Sequence, residues 1–286
     1  MIAALYIAVV LCATAQSSLN KLNKNGDAVR FNFFKSLAGF LVFFTAYLIS
    51  REGFHLPTFL FALAEGVLLA LANHAGYKAL CLGPMALTSM LVKFSLIIPF
   101  AFGIFQWGER PTVFAYIGFV LLFCALACLN VRRPQGEREK KSLSLPWAIC
   151  VTLTLVANGF SSVLASAHQR AYPKSFQLGY TAWSILVCLL IFLALALATG
   201  KLKKEHRSLR ADALGSSAGV VNTLASFLTL WLAASNPATV LYPLIAVATM
   251  LLSLLVGRVL FREKLTAWQL LGFALGVCSV LLLNLK

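Results

Sequence analysis

Four ionisable side chains, Lys35, Glu65, His74 and Lys93, interrupt long runs of Leu, Ala, Val and Phe. A charge near the centre of a hydrocarbon layer costs several kcal/mol and persists only where it meets a partner or a cavity. Groups of this kind bind and release ionic solutes or protons rather than break covalent bonds. At 1.5 Å of rise per residue, Lys35 and His74 fall roughly 10 Å below one membrane face, and Glu65 and Lys93 roughly 15 to 18 Å below it. Glu65 and Lys93 are therefore level, near mid-depth, on consecutive helices expected to pack side by side. They form either a static pair that fixes helix packing or a site whose charge changes during transport. The second reading is preferred because buried pairs seldom add stability. Glu65 then has two roles open to it, a standing partner of Lys93 or a proton acceptor released when substrate replaces it. Lys35, closer to the face, has the option of partial snorkelling and is the weaker of the two lysines. Asn73, Asn158, Asn222, Ser226 and Tyr242 add neutral polar groups. With His74 neutral, the first half carries a charge of about +1, which a low-dielectric cavity focuses on whatever enters it. An anionic or zwitterionic metabolite, its carboxylate or phosphate facing Lys93, suits that charge.

Other chemistries lack their residues. Gly215-Ser216-Ser217-Ala218-Gly219 fits a GxSxG nucleophile pattern, but no partnered histidine or strand-to-helix turn accompanies it, and its glycines read as a small-residue packing face. There is no HExxH and no phosphate-cradling Walker A loop, so no catalytic residue, metal or cofactor is expected and the chain is read as a non-enzyme. The seven cysteines show no CxxC or ligand spacing and read as small buried hydrophobes. The net charge of +15, from 24 basic and 9 acidic residues, resides in loops between apolar runs. It reports membrane topology rather than a nucleic-acid surface.

The elements that must position these residues are membrane spans. A chain of 286 residues that is 60% hydrophobic and only 12% charged has almost nothing left for a soluble domain. An uncleaved first span ends near Asn20, and apolar stretches follow at about 28–50, 57–80, 84–107, 111–131, 146–168, 176–199, 211–234, 237–260 and 265–285. Pro57, Pro84, Pro111, Pro146, Pro173 and Pro237 stand at or just before helix starts, whereas Pro99 and Pro243 fall inside spans and imply kinks. The fourth and ninth spans that hold them are the expected gating pair. Sliding the chain by 154 residues lays Glu109, Gly118, Cys124 and Asn130 on Glu263, Gly272, Cys278 and Asn284, and a shift of 153 lays Gly66 and Pro84 on Gly219 and Pro237. The expected architecture is an all-α membrane protein with ten transmembrane helices in two inverted five-helix repeats, 1–131 and 146–286, joined by a basic loop at 132–145. Glu109 and Glu263 each precede a span, and the expected role of each is to cap that following helix.

The matched segments WGERPTVFAYIGF at 107–119 and FREKLTAWQLLGF at 261–273 resemble the two copies of the EamA-like repeat of the drug/metabolite transporter superfamily. The resemblance covers essentially the whole chain. It implies a ten-helix secondary transporter whose central cavity is lined by helices one to four of each half.

The functional expectation is alternating access: a secondary active transporter of a small metabolite, coupled to protons or to a counter-substrate, in the plasma membrane as a multi-pass protein. The alternatives are a drug-type exporter of lipophilic cations and a non-transporting structural subunit. Its partners are the small-molecule substrate and the lipid bilayer, with no nucleic acid. Gly272 and Gly276 either pack internally or join a homodimer, so the chain is a monomer or a homodimer, with internal packing preferred. Seventeen of the 24 basic residues fall on the odd-numbered loops and five on the opposite face, with Lys35 and Lys93 inside. The positive-inside rule then puts both termini outside.

Overall fold

An apolar segment in a bilayer finds no water for its backbone N–H and C=O groups, so each run must satisfy them by coiling. The structure, a computed structural model, describes residues 2–22, 27–82, 88, 91–130, 144–201, 209–260 and 267–284. Its helices are α1 (Ile2–Leu22), α2 (Ala28–Ser50), α3 (Leu56–Leu82), α4 (Ile97–Phe105), α5 (Val113–Asn130), α6 (Leu145–Ala171), α7 (Gln177–Ala198), α8 (Leu209–Ala233), α9 (Ala238–Leu260) and α10 (Ala267–Asn284), with no strand among the described residues. Five of them, α2, α3, α6, α7 and α8, are long and apolar enough to cross a membrane, and shorter apolar stretches lie at Leu91–Phe105, Val113–Cys128 and elsewhere. The outer surface carries exposed Ile49, Phe105, Val113 and Val259, as a lipid-facing surface does. This is an all-helical, multi-pass membrane protein. Pro57 and Pro146 fall in the first turns of α3 and α6, whereas Pro84, Glu263 and most of the connecting loop lie outside the described residues.

The chain forms two compact units, and each draws on both sequence halves. The first comprises Met1–His74 and Leu164–Ser235, the second Ala75–Val163 and Asn236–Lys286. The division expected near 131–146 is thus one of order along the chain, and not the boundary of a compact body. Helices α3 and α6, of 27 residues each, contribute residues to both units.

In the first unit α2 packs against α7 and α8, and α1 against α8. Two glycines let a neighbouring backbone approach closely. Gly219 on α8 lies against the backbone carbonyl of Lys35 on α2, with no room for a Cβ. Gly66 on α3 faces α7, where an added Cβ would come within 2.5 Å of the Ser184 carbonyl oxygen. Gly215, one turn before Gly219, sits on the Phe31 carbonyl. The GxSxG match is accordingly a helix-packing face. The hydroxyls nearby spend their donors locally: Thr223 Oγ1 donates to the Gly219 carbonyl at 2.8 Å and Thr181 Oγ1 to that of Gln177 at 2.9 Å.

A polar clasp closes one end of this unit. The Asp27 carboxylate caps α2, accepting from Val29 N at 2.9 Å and Arg30 N at 3.1 Å. Arg30, 7% exposed, donates through Nε and Nη2 to both oxygens of Asp212 on α8, at 2.7 and 2.8 Å. Its Nη1 reaches the Lys201 carbonyl at 3.2 Å, and the Lys201 ammonium lies 3.0 Å from Asp27 Oδ2. Burial pushes the Asp27 carboxyl up, but Lys201 and the two backbone N–H groups outweigh it and hold the group below its usual value.

In the second unit α5 lies along α10, with Ser279 Oγ donating to the Gly118 carbonyl at 2.6 Å. Leu122 and Leu126 meet Val247 of α9 in a buried cluster. A Cβ at Gly276 would touch Leu251 of α9 at 3.0 Å, which places this glycine in internal packing. Glu109 caps a helix as expected, but a different one. Its carboxylate accepts from Ala238 N and Thr239 N, both at 3.0 Å, and from Thr239 Oγ1 at 2.7 Å, so it closes the N-terminus of α9. The following helix, α5, is capped instead by Thr112 Oγ1, which accepts from Ala115 N at 3.3 Å. At Pro99, the backbone narrows to a 3-10 turn over Phe94–Leu96 one turn upstream, where Ile97 N reaches the carbonyls of both Phe94 and Ser95. Pro243 stays inside α9.

Candidate functional site

Helix α2 carries Lys35 on the side that meets α8, and the close approach at Gly219 buries it to 7% exposure. It does not snorkel. Its ammonium donates to Asn73 Oδ1 on α3 at 3.2 Å, and among the described residues no carboxylate pairs with it. An ammonium has three donors, so two remain for a further acceptor. Glu65, two turns before Asn73 on α3, is also buried, as are Asn32 and Ser36 on α2. Ser36 Oγ lies 3.4 Å from Cys188 Sγ on α7, and that thiol is within electrostatic reach of both Lys35 and Glu65. His74 and Asn222 are half-buried in the same unit, and Ser226 is exposed.

The remaining sequence-derived candidates belong to the second unit. Lys93 is exposed at the start of the 3-10 turn, Asn158 is half-buried, and Tyr242 is buried with its hydroxyl donating to the Ser162 carbonyl at 2.7 Å. Pro99 and Pro243 are buried there too. The expected Glu65–Lys93 pair is a feature of neither unit. The lysine that the fold joins to an expected polar partner is Lys35, with Asn73. Between them the arrangement offers a buried cation and an amide to an anionic group.

A second polar constellation in the first unit was not marked by sequence reasoning. His55 precedes α3, Thr58 lies in its first turn, His168 and Gln169 end α6, and Gln177 begins α7. His168 and Gln169 are buried to 0% and 1% exposure. The Gln169 carbonyl Oε1 accepts from the backbone N of Lys174 at 3.2 Å and from Gln177 Nε2 at 2.8 Å, which fixes the orientation of its amide. Gln169 Nε2 therefore donates to His168 Nδ1 at 3.0 Å. The His168 proton is on Nε2 and is donated to Thr58 Oγ1 at 3.0 Å. Thr58 in turn donates its hydroxyl proton to His55 Nδ1 at 2.9 Å, a nitrogen that also accepts from Thr58 N at 3.4 Å. His55 stacks on Phe176 at 4.2 Å between centroids and 4° between planes. The signal available in sequence was two polar residues at a span end, His168-Gln169, which hydropathy alone reads as a boundary.

No family model matches the chain, and no curated protein does. A solved crystal structure of a protein superimposes on it with a TM-score of 0.76 at 15% identity, covering 99% of this chain and 96% of the other. That likeness concerns the fold alone.

Proposed function

We propose that the chain is a secondary transporter of the EamA-like type, moving a small anionic or zwitterionic metabolite by alternating access across the plasma membrane. The observation that carries the reading is the buried Lys35 ammonium, held by Asn73 within a helix long enough to span the bilayer. Such a charge is costly and marks a solute or ion path. Lys35 is the anion contact in this proposal, with Glu65 facing a cationic group of the solute or accepting the coupling proton.

Two further features support ten alternating spans in inverted repeats. Gly66 and Gly219 are repeat equivalents, and each makes the tight contact of its own helix with the second helix of the opposite half. The loop contacts also keep parity. Arg30 beside the first loop meets Asp212 and Lys201 beside the seventh, His55 of the second meets residues beside the sixth, and Glu109 of the fourth caps the helix after the eighth. Ten alternating spans put each of those pairs on one membrane face.

A thermal-shift screen of the purified protein against anionic metabolites tests the reading, since a ligand bound only by the folded state raises its stability. A carboxylate or phosphate ligand is expected to stabilise the wild type and lose at least about tenfold in affinity in Lys35→Ala, equivalent to about 1.4 kcal/mol. Tight binding of a lipophilic cation that survives Lys35→Ala and disappears in Glu65→Gln would identify a drug-type exporter. Absence of any ligand, together with full abundance of both variants, would favour a structural subunit.

Orientation follows from the loop charges. With seventeen basic residues on the odd-numbered loops, that face is cytoplasmic and both termini are outside. A C-terminal fusion to a reporter that fluoresces only in the cytoplasm is expected to stay dark. A bright fusion overturns the assignment.

A further inference from the structure

We propose that the chain His55–Thr58–His168–Gln169 is a proton-operated latch, which holds the turn between α6 and α7 closed while the His168 imidazole is neutral and releases it when that ring is protonated. Every proton in the chain has a fixed direction. The backbone N–H of Lys174 sets the Gln169 amide, the amide N–H occupies His168 Nδ1, His168 Nε2–H occupies Thr58 Oγ1, and the Thr58 hydroxyl occupies His55 Nδ1. An added proton on His168 goes to Nδ1 and sets two N–H donors against each other across 3.0 Å. An added proton on His55 goes to Nδ1 and opposes the Thr58 N–H at 3.4 Å, but the Thr58 hydroxyl turns to accept from it and keeps their 2.9 Å bond. Protonation of His168 therefore costs a buried hydrogen bond and strands a donor.

The segment so held is under strain. Lys174 and Phe176 have φ of 58° and 53°, left-handed values that are outliers for a bulky side chain such as phenylalanine. The turn is fastened at Lys174 N by Gln169 and at the Phe176 ring by His55. Both fastenings belong to the latch, so losing it frees the strained turn. The titratable and charged groups around it are Glu52, whose carboxylate accepts from Gly179 N at 2.8 Å, Tyr172 in contact with both imidazoles, Tyr180 against His168, and Arg170 and Lys174 on the exposed side. No carboxylate among the described residues bonds to either ring, so neither imidazolium gains a counter-charge.

The closed latch binds no proton, while a freed histidine titrates near 6.5. The closed form is therefore retained above about pH 6.5 and lost as pH falls below it. Between pH 7.5 and 5.5 one such histidine raises the opening equilibrium about tenfold. Hydrogen–deuterium exchange of the peptide spanning 172–180, corrected for the intrinsic pH dependence, is expected to speed up by about that factor. Helices α5 and α10 serve as the internal reference and should not change. In Gln169→Glu, a carboxylate still accepts from Lys174 N and Gln177 Nε2 but now also accepts a hydrogen bond from the protonated His168 Nδ1. This variant should keep the turn protected at pH 5.5, reversing the wild-type trend. Equal protection of the wild-type turn at both pH values overturns the proposal. So does exchange that rises equally in α5 and α10, or a Gln169→Glu variant that follows the wild type. None of these outcomes depends on whether the protein transports a solute.

Discussion

Gly219→Ala is expected to destabilise the protein by about 3 kcal/mol or more, because the new methyl group falls on the backbone carbonyl of Lys35. A backbone atom cannot swing aside as the end of a side chain does, so α8 must move away from α2 along its length. The better helix propensity of alanine returns only about 1 kcal/mol. The three glycines therefore rank by what each would meet. Gly66→Ala, with the Ser184 carbonyl at 2.5 Å and Val187 Cβ at 2.6 Å, should cost less than Gly219→Ala. Gly276→Ala, which meets the tip of Leu251 at 3.0 Å, should cost least. Thermal unfolding in detergent and the yield of folded protein measure the series. Equal midpoints for Gly219→Ala and Gly276→Ala would refute the close approach of α2 and α8.

The second large effect belongs to the Arg30 clasp. The side chains of Arg30 and Asp212 are 9% and 14% exposed, so Asp212→Ala strands a guanidinium that has already left water. Breaking a buried pair from one side costs about 3–5 kcal/mol, whereas exchanging both partners for apolar residues of similar size is often neutral. Asp212→Ala alone should lower the unfolding midpoint sharply. The double variant Arg30→Met, Asp212→Leu should recover most of the loss. A single-variant loss below about 1 kcal/mol would mean that water reaches the pair in solution.

Hydropathy made the helices legible, since the cost of an unbonded backbone in lipid is written into each apolar run independently of its neighbours. The helix ends agree with that reading to within a few residues at α2, α5, α7 and α8. Partners were harder to read. The depth of a residue follows from counting along a helix, but the direction its side chain takes around that helix depends on what packs there. For this reason depth ranks Lys93 above Lys35, while the contact of Lys35 with Asn73 depends on direction and is not read from depth. Glu109 shows the same division. Its capping role was readable from the residue type beside a span, while the identity of the capped helix, 129 residues further on, was not. Thr58 and His168 are 110 residues apart, and no local pattern joins them.

The crosswise pairing of helices bears on how the chain is made. The helices that pack on α2 are α7 and α8, and those that pack on α5 are α10 and α9. Arg30 waits for Asp212 across 182 residues, an interval of roughly 10–35 s at a synthesis rate of about 5–20 residues per second. Through that interval α2 and α3, both long and apolar enough to cross a membrane, have their small-residue faces uncovered, and Arg30 and Lys35 lack their final surroundings. The nascent first half is therefore a client for whatever shelters polar segments beside the translocation channel, and the rate at which the second half is delivered sets how long it remains one.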